Sequence, residues 1–290
     1  MIKWLLFLGG IVCILIVAEW IREVQTFKVT HYQIQSPKLK NVKPRKILLL
    51  SDLHNYVYGK ENENLLQAIR KESPDMILVA GDMLVGRPGD KINVAQNFMK
   101  ELPKLCDTYY ANGNHEQRLK EDTEKYGEIY SDYKNDLQKC GVHFLENDKV
   151  KTQWEDCQVE IYGLEIPRSA YRKFRKVSLP EHCLENSLGK GDSSKYQILI
   201  AHNPMFMKDY LAWGADLIVS GHLHGGLARI PFWRGVISPQ GNLFPKYSGE
   251  LTREGDTSIV VSKGLGVHTF KIRFLNPAEV VVLHIGDSEE

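Results

Sequence analysis

Short, nearly continuous apolar runs alternate with polar stretches along the chain from residue 46 onward. Runs of this length that are rich in Ile, Leu and Val are typical of strands buried on both faces of a sheet. Between them, residues 63–71 and 205–213 carry apolar side chains at helical spacing, and the charged stretch 118–139 predicts a solvated helix interrupted by Gly127. The pattern predicts an α/β fold in which helices cover the sheets. The predicted strands are residues 46–50, 76–80, 108–111, 159–163, 197–201, 217–220, 258–262 and 279–285.

The N-terminal segment has a different pattern, an apolar run over residues 4–21 that only Glu19 interrupts. A helix over residues 1–21 would reach about 30 Å, which is the thickness of the hydrocarbon core of a bilayer. Tryptophan residues stand near both ends of the run, and Arg22 follows it, as is typical of the interfaces of a membrane span. We therefore predict one transmembrane helix that anchors the chain through residues 1–22.

A cleaved signal peptide and a buried core helix are the two alternatives to an anchor. A signal peptide would need a small-x-small cleavage site after its apolar core, and residues 17–20 (VAEW) supply none. A core helix would carry a polar face, whereas residues 5–18 are apolar all round. Lys3 favours a cytoplasmic N-terminus, whereas the basic residues Arg22, Lys28, Lys38 and Lys40 favour the opposite orientation. Because large downstream domains translocate largely regardless of charge, we expect a single-pass protein of the cell membrane whose domain is extracytoplasmic.

Composition and charge exclude several classes of protein. The 290 residues include 43% apolar residues, and 37 basic residues balance 36 acidic ones, which excludes a largely disordered chain. The near-neutral charge gives no general case for nucleic-acid binding, and we expect no nucleic-acid partner. Residues 1–45 carry seven basic groups against two acidic ones, which suits an anionic membrane surface. We therefore expect residues 23–45 to be a basic juxtamembrane linker and residues 46–286 to form the folded domain.

Polar residues that can bind metals cluster directly after five of the predicted strands. The carboxyl ends of strands are where sites assemble in such sheets, because the loops there meet at one edge. Glycines beside these residues permit the tight turns that aim neighbouring side chains inward. The five segments are residues 51–54 (SDLH), 81–82 (GD), 112–116 (NGNHE), 202–204 (HNP) and 221–226 (GHLHGG).

Seven side chains in these segments offer carboxylate, amide and imidazole donors and no thiolate. This set suits Mn²⁺, Fe or Zn²⁺. Two divalent metal ions ~3.5–4 Å apart that share one carboxylate would use all seven donors, which exceed the needs of one ion. One His or one Gly-Asp after a strand is ordinary core or turn chemistry, but five such segments in order strongly indicate a metal site. The candidate ligands are Asp52, His54, Asp82, Asn114, His202, His222 and His224.

The five segments match the pattern D-x-H, G-D, G-N-H-[DE], H and G-H-x-H of the calcineurin-like metallophosphoesterases, and the chain resembles this family over residues 46 to about 285. Residues 221–232, 243–246 and 264–279 resemble its membrane-anchored YkuE/YaeI-type branch. Met83 and His268 depart from the pattern at positions that are not ligands. The resemblance implies a four-layer α/β/β/α sandwich, here preceded by the transmembrane helix.

The resemblance also implies the chemistry of the site. The reaction would be hydrolysis of phosphate mono- or diester or pyrophosphate bonds by a metal-bound hydroxide. His115 would give a proton to the leaving group without binding metal, and Glu116 could orient its ring. One ion would be held by Asp52, His54 and His224, the second by Asn114, His202 and His222, with Asp82 bridging the two.

The substrate is the point that the sequence leaves open. A membrane anchor favours the lipid bilayer as a partner and a lipid-linked phosphoester as the substrate. Soluble nucleotides or phosphoproteins are the alternatives, and a non-catalytic scaffold is a further one, although such scaffolds have lost ligands and this chain lacks none. The basic stretch 168–176 would either contact an anionic head group or form a solvated loop. The apolar stretch 229–244 would either pack on the core or line a groove for acyl chains.

Overall fold

Two six-stranded sheets form the centre of the protein in a computed structural model, which describes residues 2–87, 89, 92–172, 177–226, 229, 235–237, 241, 243–267, 273 and 275–286. The first sheet has the order β1-β12-β2-β3-β4-β5 and the second the order β10-β11-β9-β8-β7-β6. Both sheets are mixed, and their inner strands are mostly parallel. The strands are β1 (Phe27–Ile34), β2 (Arg45–Leu50), β3 (Met76–Val79), β4 (Asp107–Tyr110), β5 (Val142–Phe144), β6 (Asp148–Trp154), β7 (Cys157–Leu164), β8 (Tyr196–Ala201), β9 (Leu217–Ser220), β10 (Glu250–Glu254), β11 (Thr257–Val261) and β12 (Ala278–Ile285).

The helices of the described residues connect these strands, apart from the first, which precedes them. The charged stretch 118–139 forms three helices instead of one, and Gly127, with φ +59°, lies between the second and the third. The helices are α1 (Ile2–Gln25), α2 (Glu63–Glu72), α3 (Asn93–Glu101), α4 (Asn114–Glu121), α5 (Thr123–Tyr126), α6 (Ile129–Lys139), α7 (Cys183–Leu188) and α8 (Met207–Trp213).

Three hydrophobic clusters hold the layers together. Ile47 and Leu49 of β2 point into the cluster between the two sheets, while Leu48 and Leu50 point towards helices α2, α3 and α6. A third cluster joins the outer face of the second sheet to α7 and α8. Most side chains of the inner strands are thus buried on one face or the other, which stabilises the fold by about 1.5–3 kcal/mol for a large apolar side chain. This burial explains the continuous apolar runs. The layers are stacked in the order helices, first sheet, second sheet and helices.

The prediction that residues 23–45 form a linker is wrong for most of this segment. Residues Phe27–Ile34 form β1, which pairs in parallel with all eight residues of β12. Ile34, Leu39 and Val42 are buried in the cluster between the sheets. The strand is partly exposed and alternates apolar with polar residues, so its pattern differs from that of the buried strands. The folded domain therefore includes this segment.

Helix α1 has the length and composition to cross a membrane. Its most apolar 18-residue window has a mean hydropathy of 2.4, and none of that window is buried against the rest of the described protein. A signal sequence near an N-terminus has the same properties. The structure thus contains an N-terminal apolar helix of the kind found in signal sequences and in anchors.

Candidate metal centre

The candidate ligands meet where the carboxyl ends of the inner strands of both sheets come together. Asp52 follows β2, and the backbone N–H of His222, which follows β9, donates to both of its carboxylate oxygens at 3.1 and 3.0 Å. His202 follows β8, and its Nδ1 lies 2.6 Å from the carbonyl oxygen of Ala80 in the first sheet. These bonds join the loops of the two sheets in one buried cluster.

One group of donors surrounds the carboxylate of Asp52. Its Oδ1 lies 3.4 Å from Nε2 of His224 and 3.8 Å from Nε2 of His54. The two imidazoles are stacked with their Nε2 atoms 3.1 Å apart. The donor atoms of these three residues lie within 4.8 Å of one another, so one cation could contact all of them.

A second group lies around the carboxylate of Asp82. The donor atoms of Asp82, His202 and His222 also lie within 4.8 Å of one another. Oδ2 of Asp82 is 3.1 Å from Nε2 of His202 and 4.0 Å from Nε2 of His54, which belongs to the first group. Asp82 therefore faces both groups, as a bridging ligand must. Oδ1 of Asp52 also lies 3.9 Å from Nε2 of His202, so the two groups are contiguous. The structure brings together the six Asp and His residues that the sequence predicts as ligands, and their assignment to two separate ions stays a prediction.

Asn114, the one amide among the candidates, begins helix α4 beside this cluster. Its Oδ1 is buried and accepts no hydrogen bond from the described residues. A buried acceptor without a donor is costly unless another group satisfies it, and a cation can do so. The mixed carboxylate, imidazole and amide oxygen donors, together with this acceptor, fit a pair of divalent cations.

The backbone at the ligands is strained. Asp52, His54, Asp82, His222 and His224 all have φ between +50° and +68°, in the left-handed region that non-glycine residues rarely adopt. Each such residue costs about 1–3 kcal/mol, and residues of this kind concentrate at functional sites. The packing around these residues must therefore supply the free energy that keeps their backbone in this conformation.

Burial and charge perturb the ionisation of the ligands. Burial raises the pKa of Asp52 to about 6. Burial alone would raise the pKa of Asp82 as well, but His202 and His115 hold it well below the usual range of a carboxyl. Burial alone would lower the pKa of His202, but the carboxylates of Asp82 and Asp52 raise it to about 10. A cation that binds His202 must therefore displace a proton from it.

His115 lies beside the ligands with its ring fixed by the backbone. Its Nδ1 accepts a hydrogen bond from the N–H of Gly86 at 2.9 Å, and its ring packs edge-on to His54 with the centroids 4.9 Å apart. Because Nδ1 is an acceptor, Nε2 is the atom that holds the ring proton. Burial lowers the pKa of His115. His115 and the donors of His54 and Asp82 also lie within 4.8 Å of one another.

Glu116 does not orient the ring of His115, which corrects the expectation from the sequence. Its buried carboxylate accepts hydrogen bonds from the N–H groups of Asp82 (2.8 Å), Gly113 (3.0 Å) and Leu84 (3.1 Å) and from the hydroxyl of Tyr110 (2.8 Å). Burial and the charge of Asp82 raise the pKa of Glu116 to about 7. Glu116 therefore ties together the loops after β3 and β4, and its action on the site is through the backbone.

The loops after β3 and β4 are also in contact at Gly81, where the structure has no room for a side chain. Gly81 has φ +79°, and a Cβ there would lie 2.2 Å from the backbone nitrogen of Gly113. We expect Gly81→Ala to separate the two loops, and so to lower metal content as well as thermal stability. Gly189 is the matched control, because it has the same φ of +79° and no atom within 4 Å of the place that a Cβ would take.

Gly189 has φ +79° and ψ −178°, a conformation that essentially only glycine adopts, so we expect Gly189→Ala to cost about 1–3 kcal/mol of backbone strain and to leave metal content unchanged. Thermal unfolding and metal analysis of both variants measure this difference. Equal losses of thermal stability and of metal content in the two variants would show that the close contact between Gly81 and Gly113 is not needed for the metal centre.

Sequence reasoning missed three residues that support or border the site. The buried side-chain amide of Asn276 donates to the carbonyl oxygens of His224 (2.6 Å) and Gly226 (2.7 Å). The buried guanidinium of Arg273 donates to the carbonyl oxygens of Lys263, Gly264 and Gly266 in the loop that packs on Asp52. The ring of Tyr171 packs edge-on to His222 with the centroids 5.1 Å apart. These residues are distant in sequence from the ligand segments, so no spacing indicated them.

Two stretches that the sequence left open are only partly described. In the basic stretch, Arg168 pairs with Glu121 at 3.2 Å and Arg172 is exposed, while residues 173–176 lie outside the described residues. In the apolar stretch, Arg229 pairs with Glu250 and Phe244 is exposed, while residues 230–234 lie outside the described residues. His268, which departs from the family pattern, also lies outside them.

Comparison with known proteins places the chain among phosphoesterases. Residues 45–226 match the calcineurin-like phosphoesterase family. An uncharacterised metallophosphoesterase of Campylobacter jejuni is 28% identical over 93% of the chain, and the chain spans 66% of that relative's length. The two relatives that the sequence predicted are also found. YkuE of Bacillus subtilis is 25% identical over 82% of the chain and 77% of its own length. Phosphodiesterase YaeI of Escherichia coli is 25% identical over 84% of the chain and 83% of its own length.

A more distant relative and a solved structure complete the comparison. UDP-2,3-diacylglucosamine pyrophosphatase LpxG of Chlamydia muridarum is 21% identical over 90% of both chains. The crystal structure of phosphopantetheinyl hydrolase from Mycobacterium tuberculosis superimposes with a TM-score of 0.50 over 76% of this chain and 89% of its own, at 15% identity. This superposition supports the fold.

Proposed function

The chain belongs to the calcineurin-like phosphoesterase family and is a metallophosphoesterase with a dinuclear His/Asp metal site, and we propose that it acts at a membrane on a lipid-linked phosphoester. The observation that carries the proposal is the position of the apolar helix. The hydroxyl of Tyr56, two residues after His54, donates to the carbonyl oxygen of Val24 in the last turn of α1 at 2.6 Å. A membrane around α1 would therefore lie close to the metal centre.

The proposed ligand sets are based on the two groups of Asp and His donors, to which the proposal adds Asn114. Asp52, His54 and His224 would hold one cation, and Asn114, His202 and His222 the second, with Asp82 between them. When bound, two divalent cations lower the pKa of water to about 7 and neutralise charge that develops on the phosphate. Mn²⁺, Fe and Zn²⁺ are all compatible with this donor set.

The protein's own contribution is to fix these donors and to hold a proton. Asp82 and the loops after β3 and β4 are kept in register by Glu116 through four hydrogen bonds. We propose that His115 gives the proton on Nε2 to the departing oxygen and so returns to the neutral ring. To act as this acid, the ring must carry a second proton on Nδ1, which releases the hydrogen bond from Gly86. Such a proton transfer contributes about 10²–10⁴-fold to the rate.

The lipid substrate is supported by the helix and by charge. Helix α1 has 24 residues, which correspond to about 36 Å, and the apolar side chains described in it up to Ile21 are exposed. Basic residues of the segment 1–45 that lie near the membrane would add attraction to anionic lipids of about 1 kcal/mol each. Lys38 and Arg45 are paired with Asp216 and Glu155 and are left out of this attraction. A tether raises the effective concentration of an enzyme towards head groups and gives no advantage with dilute soluble esters. The name of LpxG gives a diacylated compound as its substrate, which agrees with this proposal.

A comparison of the full chain with a chain that lacks residues 2–21 tests the lipid substrate. The deletion keeps β1, because that strand belongs to the folded domain. We expect hydrolysis of a soluble aryl diester to be unchanged, and hydrolysis of a phospholipid or lipid-linked pyrophosphate in vesicles to fall by about 10²-fold. The soluble diester is the internal control for folding and metal loading.

Two outcomes would contradict the lipid proposal. The first is equal cleavage of the vesicle-borne substrate by both chains. The second is cleavage of nucleotides or phosphopeptides by the full chain at least as fast as cleavage of any lipid phosphoester, which would favour a soluble substrate.

A further inference from the structure

The last turn of helix α1 is built into the folded domain, unlike the rest of the helix. Nearly all residues of α1 are exposed, but Glu23 is only 2% exposed. Val24 accepts the hydrogen bond from Tyr56, and the strand β1 begins three residues later at Phe27. A helix that served only as a tether would need no such contacts.

Glu23 makes a specific hydrogen bond inside the domain. Its Oε2 accepts from the backbone N–H of Asn276 at 3.0 Å, and its Oε1 lies 3.8 Å from the guanidinium of Arg22. A buried carboxylate is costly unless it is hydrogen-bonded or paired. The carboxylate therefore fixes the backbone of Asn276 relative to α1.

Asn276 in turn holds the loop that carries two of the metal ligands. Its side chain is fully buried, and it donates to the carbonyl oxygens of His224 and Gly226 at 2.6 and 2.7 Å. A Cβ on Gly225 would lie 2.2 Å from Oδ1 of Asn276, so the side chain packs directly against this loop. His224 has a strained φ of +50°, and these hydrogen bonds stabilise that conformation.

We propose that Glu23 is a positioning residue for the metal centre, acting through Asn276 on the backbone of His224. The last turn of α1 is then a part of the catalytic domain, and the mature protein keeps it. The inference rests on the metal site and is independent of whether the substrate is a lipid. Partners that orient a metal ligand typically contribute about 10–100-fold to metal affinity.

Metal binding by full-length variants in detergent tests this role. The affinity for Mn²⁺ is measured on metal-free protein by competition with a metal indicator, and the thermal midpoint of the metal-free protein is measured in parallel. We expect Glu23→Ala and Asn276→Ala to bind Mn²⁺ at least about tenfold more weakly than the wild type. Glu23→Gln keeps an oxygen that can accept from Asn276, and we expect it to restore affinity to within about threefold of the wild type.

Glu19→Ala is the matched control, because Glu19 lies one turn earlier on the same helix, is partly exposed, and bonds to Arg22 of that helix. We expect it to bind Mn²⁺ like the wild type. If Glu23→Ala does not fold, Tyr56→Phe replaces it, since it removes the bond to Val24 and should weaken binding by about threefold.

Three results would overturn the inference. Wild-type affinity in Glu23→Ala or, where that variant does not fold, in Tyr56→Phe would show that α1 does not support the ligand loop. An affinity of Glu23→Gln as weak as that of Glu23→Ala would exclude the hydrogen bond as the cause. An intact mass showing that the mature chain begins after Glu23 would exclude a role for the last turn of α1.

Discussion

Asp82→Asn is expected to lower the hydrolysis of a generic aryl phosphodiester by at least about 10³-fold and to reduce the number of ions bound per chain. The reason is that the carboxylate of Asp82 faces both groups of ligands, with Oδ2 3.1 Å from Nε2 of His202 and 4.0 Å from Nε2 of His54. An amide at this position carries no charge to balance either cation. Turnover and metal analysis of the purified variant measure both effects, and a chelator should abolish the activity of the wild type.

Asp75→Asn is the control for this prediction. Asp75 precedes the same strand, β3, at its opposite end, and its Oδ2 accepts from the N–H of Lys46, a bond that an amide oxygen can also accept. We expect this variant to keep both turnover and metal. Two ions still bound per chain in Asp82→Asn would count decisively against a bridging role.

His115→Gln is expected to lower the turnover of alkyl phosphoesters by about 10²–10⁴-fold while metal content stays at the wild-type value. The proton that we assign to Nε2 matters only when the leaving oxygen is basic. The loss should therefore shrink for nitrophenyl esters, whose leaving group needs no proton. Parallel rate measurements on an alkyl and a nitrophenyl series give this comparison directly.

The exposed His182 provides a control for the loss of an imidazole, since His182→Gln changes only the surface near α7. It should leave both series of rates unchanged. An equal loss for alkyl and nitrophenyl esters in His115→Gln would remove the assignment of His115 as proton donor, and a loss of metal would make His115 a ligand.

The eight strands that the sequence predicts are the inner strands of the two sheets, and the four it misses are their edges. Strands β1 and β5 flank the first sheet, and β10 and β6 flank the second. Inner strands are covered on both faces and are therefore continuously apolar, whereas each edge strand contains exposed residues. The expected linker over residues 23–45 was wrong for the same reason, because β1 is one of these edges.

The metal centre was predictable because its ligands follow inner strands in short segments of unusual composition. The supporting residues were not, since their partners are distant along the chain. Glu23 and Asn276 are 253 residues apart, and their contact depends on the pairing of β1 with β12. The prediction that Glu116 orients the ring of His115 was wrong for a related reason. The carboxylate of Glu116 accepts hydrogen bonds from the backbone of Asp82 and Leu84 in the preceding loop.

Anomalous scattering from crystals grown with Mn²⁺ tests the dinuclear site most directly. We expect two manganese peaks about 3.5–4 Å apart. One peak should lie among Asp52, His54 and His224, and the other among Asn114, His202 and His222, with the carboxylate of Asp82 touching both. A single peak at full occupancy, or two peaks that do not share Asp82, would contradict the dinuclear assignment.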